Sequence, residues 1–175
     1  MNKQRFLSLF LLVGVVPLLA AFVLLKTGWY QSGVNNKGVW YQQEIRLLPA
    51  SEPNSAHWRL VYLQPDSCDS HCQAVVKLMQ QIDLALGRKQ DQLDLLVLAA
   101  QPTALTSVSV DTKAQIPIIQ STFAGLPAGS LIIVEHHGLA LLHYPLPPAV
   151  ERFPLLGKDV MADLQKLMKF DRGPV

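Results

Sequence analysis

A chain of 175 residues, half of them hydrophobic and only 16% charged, is apolar for one ordinary domain, and with 7% aromatics it is no disordered chain. Three of its 15 basic residues, Lys3, Arg5 and Lys26, flank one apolar run, which leaves 12 basic against 13 acidic residues elsewhere. No basic body remains to neutralise a phosphate backbone, so nucleic acid is excluded as a partner.

The apolar excess is concentrated in Phe6–Leu25, which carries no charge. As a helix rising about 1.5 Å per residue it spans roughly 30 Å, the thickness of a bilayer's hydrocarbon core. Ser8, Gly14 and Pro17 are tolerated in such a span. Lys3 and Arg5 ahead of it favour a cytoplasmic N-terminus, a preference that Lys26 weakens without reversing. Trp29 and Tyr30 fall where an interfacial aromatic belt would lie. A cleaved signal peptide is the alternative, but its apolar core usually runs about 7–15 residues, and no clean small-x-small site follows Ala20-Ala21. The expectation is an uncleaved anchor over 1–26, held in the lipid bilayer through residues 6–25. The protein is then a single-pass inner-membrane protein whose body faces the periplasm.

Residues 27–52 read as a juxtamembrane linker and N-terminal arm, with turn signals at Ser32-Gly33 and Asn35–Gly38 and a weak strand over 39–48. From 53 onward the pattern is that of a folded domain. Trp58-Arg-Leu-Val-Tyr-Leu63 is a strong strand, stopped by Pro65-Asp66-Ser67. Residues 73–86 carry Val75, Leu78, Met79, Ile82 and Leu86 on one helical stripe, with Gly87 as C-cap. Leu93–Leu98 is a second buried strand, and an irregular stretch over 99–128 follows. Ser130–Glu135 and Leu139–Tyr144 form a hairpin around His136-His137-Gly138, and a last helix is expected over 159–170. A strand, a helix and a second strand in so short a unit imply a parallel pair.

The chain has two cysteines, Cys68 and Cys72, both in the exported body. An even count in an oxidising compartment points to a disulfide or a paired metal site. Here the C-x-x-x-C falls at a strand-to-helix junction. A helix N-terminus has unsatisfied N–H groups and partial positive charge, which favour a thiolate and make a cysteine there both a nucleophile and a metal ligand. Cys68, at the more exposed end, is the expected attacking sulfur, and Cys72 its resolving partner or second ligand. Asp66 or Ser67 is the expected N-cap. The charge of Asp69 opposes a nearby thiolate, and a protonated His71 would support one.

This arrangement resembles the thioredoxin-like superfamily and, within it, the membrane-anchored Sco/SenC group of cytochrome oxidase assembly proteins. The resemblance runs over Trp58–Leu63, the C-x-x-x-C at 68–72, the following helix and the hairpin 130–144. Asn36-Lys37-Gly38 and the Trp58-x-Leu60-Val61-Tyr62 strand are also similar to single-anchor thioredoxin-like proteins found beside cytochrome oxidase biogenesis genes. It implies an α/β, thioredoxin-like three-layer sandwich over 53–175, with a central mixed sheet and helices on both faces, behind the N-terminal transmembrane helix. It also implies a thiol–disulfide oxidoreductase that keeps cysteines of a cytochrome c oxidase copper-site subunit, or of a copper chaperone, reduced. Two departures stand out. Gln73 occupies the position of the proline that follows the second cysteine in Sco proteins, and no histidine lies between Asp111 and Glu135, where their third copper ligand falls. Conventional thioredoxins place a cis-proline just before the hairpin, and Ser130 stands there in this chain.

Two other readings of the cysteines stand beside this one. A Cu(I) chaperone would bind through Cys68, Cys72 and a third ligand, His71. A non-enzymatic assembly factor would use the pair as a structural disulfide, whose short loop contributes on the order of 2 kcal/mol. His136 and His137 resemble a ligand pair, but alternation along a strand would send them to opposite faces. No phosphate loop, serine-nucleophile motif or His-Glu-x-x-His is present.

Overall fold

The computed structural model describes residues 3–26, 36–50, 58–66, 69–99, 116–120 and 125–171. The chain divides into two compact units, Met1–Asn35 and Asn36–Val175. The first contains helix α1, Lys3–Lys26, with Pro17 inside it and the Lys26 ammonium over the Phe22 ring. The side chains described without a break run from Ser8 to Leu24 and are exposed. Among the described residues no helix is long and apolar enough to cross a membrane. The span expected over 6–25 therefore draws no support from the fold.

The second unit is built on a six-stranded sheet in the order β1-β6-β5-β2-β3-β4. The strands are β1 (Val39–Arg46), β2 (Trp58–Gln64), β3 (Leu93–Ala99), β4 (Ile118–Gln120), β5 (Ser130–Glu135) and β6 (Leu139–Pro145). All seven residues of β2 are buried, as a central strand with both faces covered requires. β2 pairs parallel with β3, from Trp58↔Leu93 to Gln64↔Ala99, and β3 pairs parallel with β4. On its other side β2 pairs antiparallel with β5, and β5, β6 and β1 continue antiparallel. The connection from β2 to β3 passes through α2 (Ser70–Leu86), closed by Gly87 at φ +57°. β4 was hidden in the stretch read as irregular, because three residues of a parallel edge carry no period of their own.

Helix α3 (Phe153–Phe170) begins well ahead of the expected 159, because Pro154 falls in its first turn, where a missing N–H leaves nothing unpaired. α2 and α3 share one core with Leu60, Tyr62, Leu131, Ile133 and Leu142. The opposite face carries a second cluster around Val61, Leu63, Leu98, Ile132 and Val134, packed by Leu47, Leu48 and Leu126. The two helices of this unit thus cover the same face, and a helical layer on the second face, expected from the three-layer reading, is absent among the described residues.

β1 makes the segment read as an arm into an edge strand, and two polar devices fasten its ends. At its start the backbone N–H groups of Lys37 and Gly38 donate to Asp163 Oδ2 at 2.7 and 2.9 Å, and Tyr144 OH donates to the same oxygen at 2.7 Å. Asp163 is 2% exposed, and Lys166 Nζ donates to Asn36 Oδ1 just outside. Only glycine fits at 38, since a Cβ would stand 2.5 Å from the Tyr144 ring. At the other end the N–H groups of Leu47 and Leu48 donate to the Gly138 carbonyl, and Arg59 donates to the Pro49 carbonyl at 2.7 Å.

Candidate functional site at the cysteine turn

The parallel strands β2, β3 and β4 end side by side at Gln64, Ala99 and Gln120. The crevice beyond such carboxyl ends is where open α/β sheets bind and react. Pro65, which has no N–H to extend the ladder, ends β2, and the chain turns into α2.

The N-cap of α2 is Asp69, and the expectation of Asp66 or Ser67 is corrected: Asp66 is exposed, Ser67 lies outside the described residues, and the helix starts at Ser70. Asp69 is extended, and its Oδ1 accepts from His71 N at 3.0 Å and Cys72 N at 3.2 Å. The carboxylate thus satisfies two of the helix's orphan donors. It also places a negative charge where a thiolate of Cys72 would otherwise be stabilised, which disfavours ionisation of that sulfur.

Cys72 is 1% exposed in the first turn of α2 and is disulfide-bonded. The chain's other cysteine, Cys68, lies outside the described residues. His71 is half-buried. Its Nε2 lies 3.0 Å from the Pro147 carbonyl, and its ring meets Phe153 edge-on with centroids 5.0 Å apart. A carbonyl only accepts, so Nε2 carries the proton and Nδ1 is the nitrogen left over. His71 thereby ties the cysteine turn to the segment leading into α3.

Beneath the turn stands Tyr62, whose hydroxyl is pushed up to about 12 by burial and then by the charge of Asp69. Gln64 is 2% exposed, and its Oε1 has no hydrogen-bond partner. Beside the end of β2, Gly129 N donates to the Leu63 carbonyl and Ser130 Oγ to the Pro127 carbonyl at 2.6 Å. Among the described residues there is no cis peptide bond, so the Pro127 turn reaches the hairpin in the trans form.

The other histidines are at a distance along the sheet or across it. His136 and His137 occupy the hairpin turn, at the opposite end of the strands from the cysteines. Their rings lie 3.9 Å apart, which corrects the expectation of opposite faces: these residues belong to the turn, where strand alternation does not apply. His143 stacks against Tyr41 from β1, with Nδ1 unpartnered. Among the described residues no three His, Cys, Asp or Glu side chains come together as a metal site. The residues present do not fit a copper centre in this state. Cys72 is closed in a disulfide and offers no thiolate.

Two features escaped the sequence reading. Asp163 interrupts the apolar stripe Val160, Leu164, Leu167, and an acid at a core position is itself a signal for a buried acceptor. Gln64, a polar residue closing a run of buried ones, is the same kind of signal.

A solution structure of apo Sco1 from Thermus thermophilus is similar, with 14% sequence identity and a TM-score of 0.47, and the match covers 77% of this chain and 99% of that one. No curated protein matches. The family described as transmembrane-like, thioredoxin-like, C-terminal domain matches over residues 58–171, the span that runs from β2 through the cysteine turn and the hairpin to the end of α3. The chain belongs to that thioredoxin-like family.

Proposed function

We propose that this protein is a membrane-anchored thiol–disulfide exchange protein that serves assembly of the copper site of cytochrome c oxidase. Its anchor is residues 6–25 and its C-terminal body faces the periplasm. The observation that carries the reading is the disulfide of Cys72 in the first turn of α2, at the carboxyl ends of the parallel strands. Membership of a thioredoxin-like family supports the chemistry. The likeness of the 36–38 and 58–62 stretches to oxidase-associated relatives supports the setting, as do the flanking charges Lys3 and Arg5.

In the reducing direction the Cys68 thiolate attacks a partner disulfide, forming a mixed disulfide and releasing one partner thiol. Cys72 then gives up its proton and attacks Cys68 Sγ, releasing the second partner thiol and closing the Cys68–Cys72 disulfide. Two electrons pass from the pair to the partner, whose cysteines emerge reduced and able to take copper. Asp69 and the burial of Cys72 keep the second sulfur from competing as the first nucleophile. Copper carriage by the same pair would require the reduced state, with His71 Nδ1 as the nitrogen left for a third ligand, and the disulfide of Cys72 favours exchange.

The test is the reduction potential of the pair, with Cu(I) titrated into the reduced form. A potential between about −270 and −120 mV, the span of exchange proteins, is expected. A value below about −300 mV with no copper uptake would sink the reading in favour of a structural disulfide. In spheroplasts, a membrane-impermeant maleimide labels the reduced pair only if the body faces the periplasm.

A further inference from the structure

One buried polar side chain beside the cysteine turn is not used by the exchange steps above. Gln64 closes β2, is 2% exposed, and has an Oε1 that accepts no hydrogen bond. An acceptor withheld from water without a donor is unfavourable, and native structures rarely retain one without a role. Side chains alternate along a strand, so Gln64 lies on the same face of β2 as Leu60 and Tyr62. That is the face on which α2 packs and on which Cys72 is buried. Gln64 ends β2, and Cys72, eight positions on, lies in the first turn of α2.

The disulfide form gives Cys72 no hydrogen to donate. Reduction by a partner dithiol transfers two electrons and two protons, so that the partner leaves as a disulfide and Cys68 and Cys72 become thiols. Cys72 is 1% exposed and its backbone N–H donates to the Asp69 carboxylate, so its sulfur stays in surroundings that solvate a thiolate poorly. It holds its proton, and a buried S–H donor appears on the face where an acceptor stands unpaired.

We propose that Gln64 Oε1 accepts the hydrogen bond of the Cys72 thiol in the reduced protein. Gln64 then stabilises the dithiol over the disulfide and holds Cys72 protonated while Cys68 serves as the thiolate. This inference rests on the reading of the pair as exchange-active.

The experiment equilibrates full-length protein in detergent with glutathione buffers, comparing the native chain with Gln64→Leu. Loss of the acceptor is expected to lower the equilibrium constant for reduction about tenfold, about 30 mV toward a more negative potential. An equilibrium constant within twofold of the native one overturns the proposal, whatever happens to the melting temperature, since a purely structural glutamine weighs equally on both redox states. The infrared S–H stretch of the Cys68→Ser protein, in which Cys72 is the only thiol, gives a second readout. It should lie below that of an unbonded thiol and rise when Gln64→Leu is added. A stretch that does not move overturns the hydrogen bond directly. If the native pair fails to equilibrate with glutathione at all, the exchange reading falls, and the stretch still decides the acceptor.

Discussion

The two ends of the sheet are fastened in different ways. The hairpin end is held largely by backbone: Gly138 at φ +84° receives Leu47 and Leu48 on its carbonyl, with the Arg59 guanidinium as a side-chain clasp. The cysteine end is held by side chains that ionise or donate: Asp69 under the first turn of α2, His71 against Pro147, and Asp163 beneath Lys37, Gly38 and Tyr144. A backbone clasp has one state. A set of polar side chains in a buried setting responds to charge and to proton supply, which suits the end where sulfur chemistry is placed. The histidine pair at 136–137, despite looking more like a ligand set, stands at the other end, beside the Gly138 backbone clasp.

That difference can be broken from either side. Asp163→Ala should have the largest effect, because two backbone N–H groups and the Tyr144 hydroxyl lose their shared acceptor inside the protein. At about 1–3 kcal/mol for each orphaned donor, the loss should reach about 4 kcal/mol. Denaturant unfolding measures it, and a loss under about 1 kcal/mol would mean the latch contributes little. Gly138→Ala attacks the hairpin end, where a Cβ would overlap the Leu48 carbonyl and the positive φ is strained for any other residue. A loss of about 3 kcal/mol is expected, and it should be the same at pH 7 and pH 9, because nothing in that clasp titrates between them. A marked difference between those two measurements would remove the distinction between the ends.

Much of the cysteine end was legible in the sequence, and the reason is local. Strand β2, the helix stripe from Val75 to Leu86, its Gly87 cap and the hairpin each carry their period or turn signal within a dozen residues. Asp69 takes the cap from Asp66 and Ser67 because the helix begins at Ser70, and the cap is the residue directly before it. The first turn, with Cys72 as its one buried residue, is too short to show a period. The Asp163 latch joins residues 125 and 126 positions apart, and no local pattern encodes such a pairing. β4 is stabilised by its place beside β3 and has only three residues to show for it. The same reasoning applies to His71, the third copper ligand the sequence offers: the carbonyl that holds its Nε2 lies 76 positions away, where no local pattern announces it.

Alkaline pH should separate the two ends by a smaller margin. Burial, and then the charge of Asp69, pushes the Tyr62 hydroxyl up to about 12. Burial and the Asp163 carboxylate hold Tyr144 far above its ordinary value as well. A raised acid gives stability that is fully present below pH 10, where folded and unfolded chains both keep the proton. Above pH 10 the unfolded chain ionises while the folded chain still holds its proton, so stability falls as pH rises through the folded value. Tyr62 alone should remove roughly 2–3 kcal/mol between pH 10 and about 12. Urea unfolding at steps across that range measures the slope, and Tyr62→Phe should flatten it by one tyrosine's share. Tyr144→Phe should flatten it further at the cost of one Asp163 hydrogen bond, with Gly138→Ala leaving the slope as it is. If the Tyr62→Phe slope matched the native one, the phenol beneath the cysteine turn would not be desolvated. The contrast between an ionisable end and a backbone end would then rest on the Asp163 latch alone.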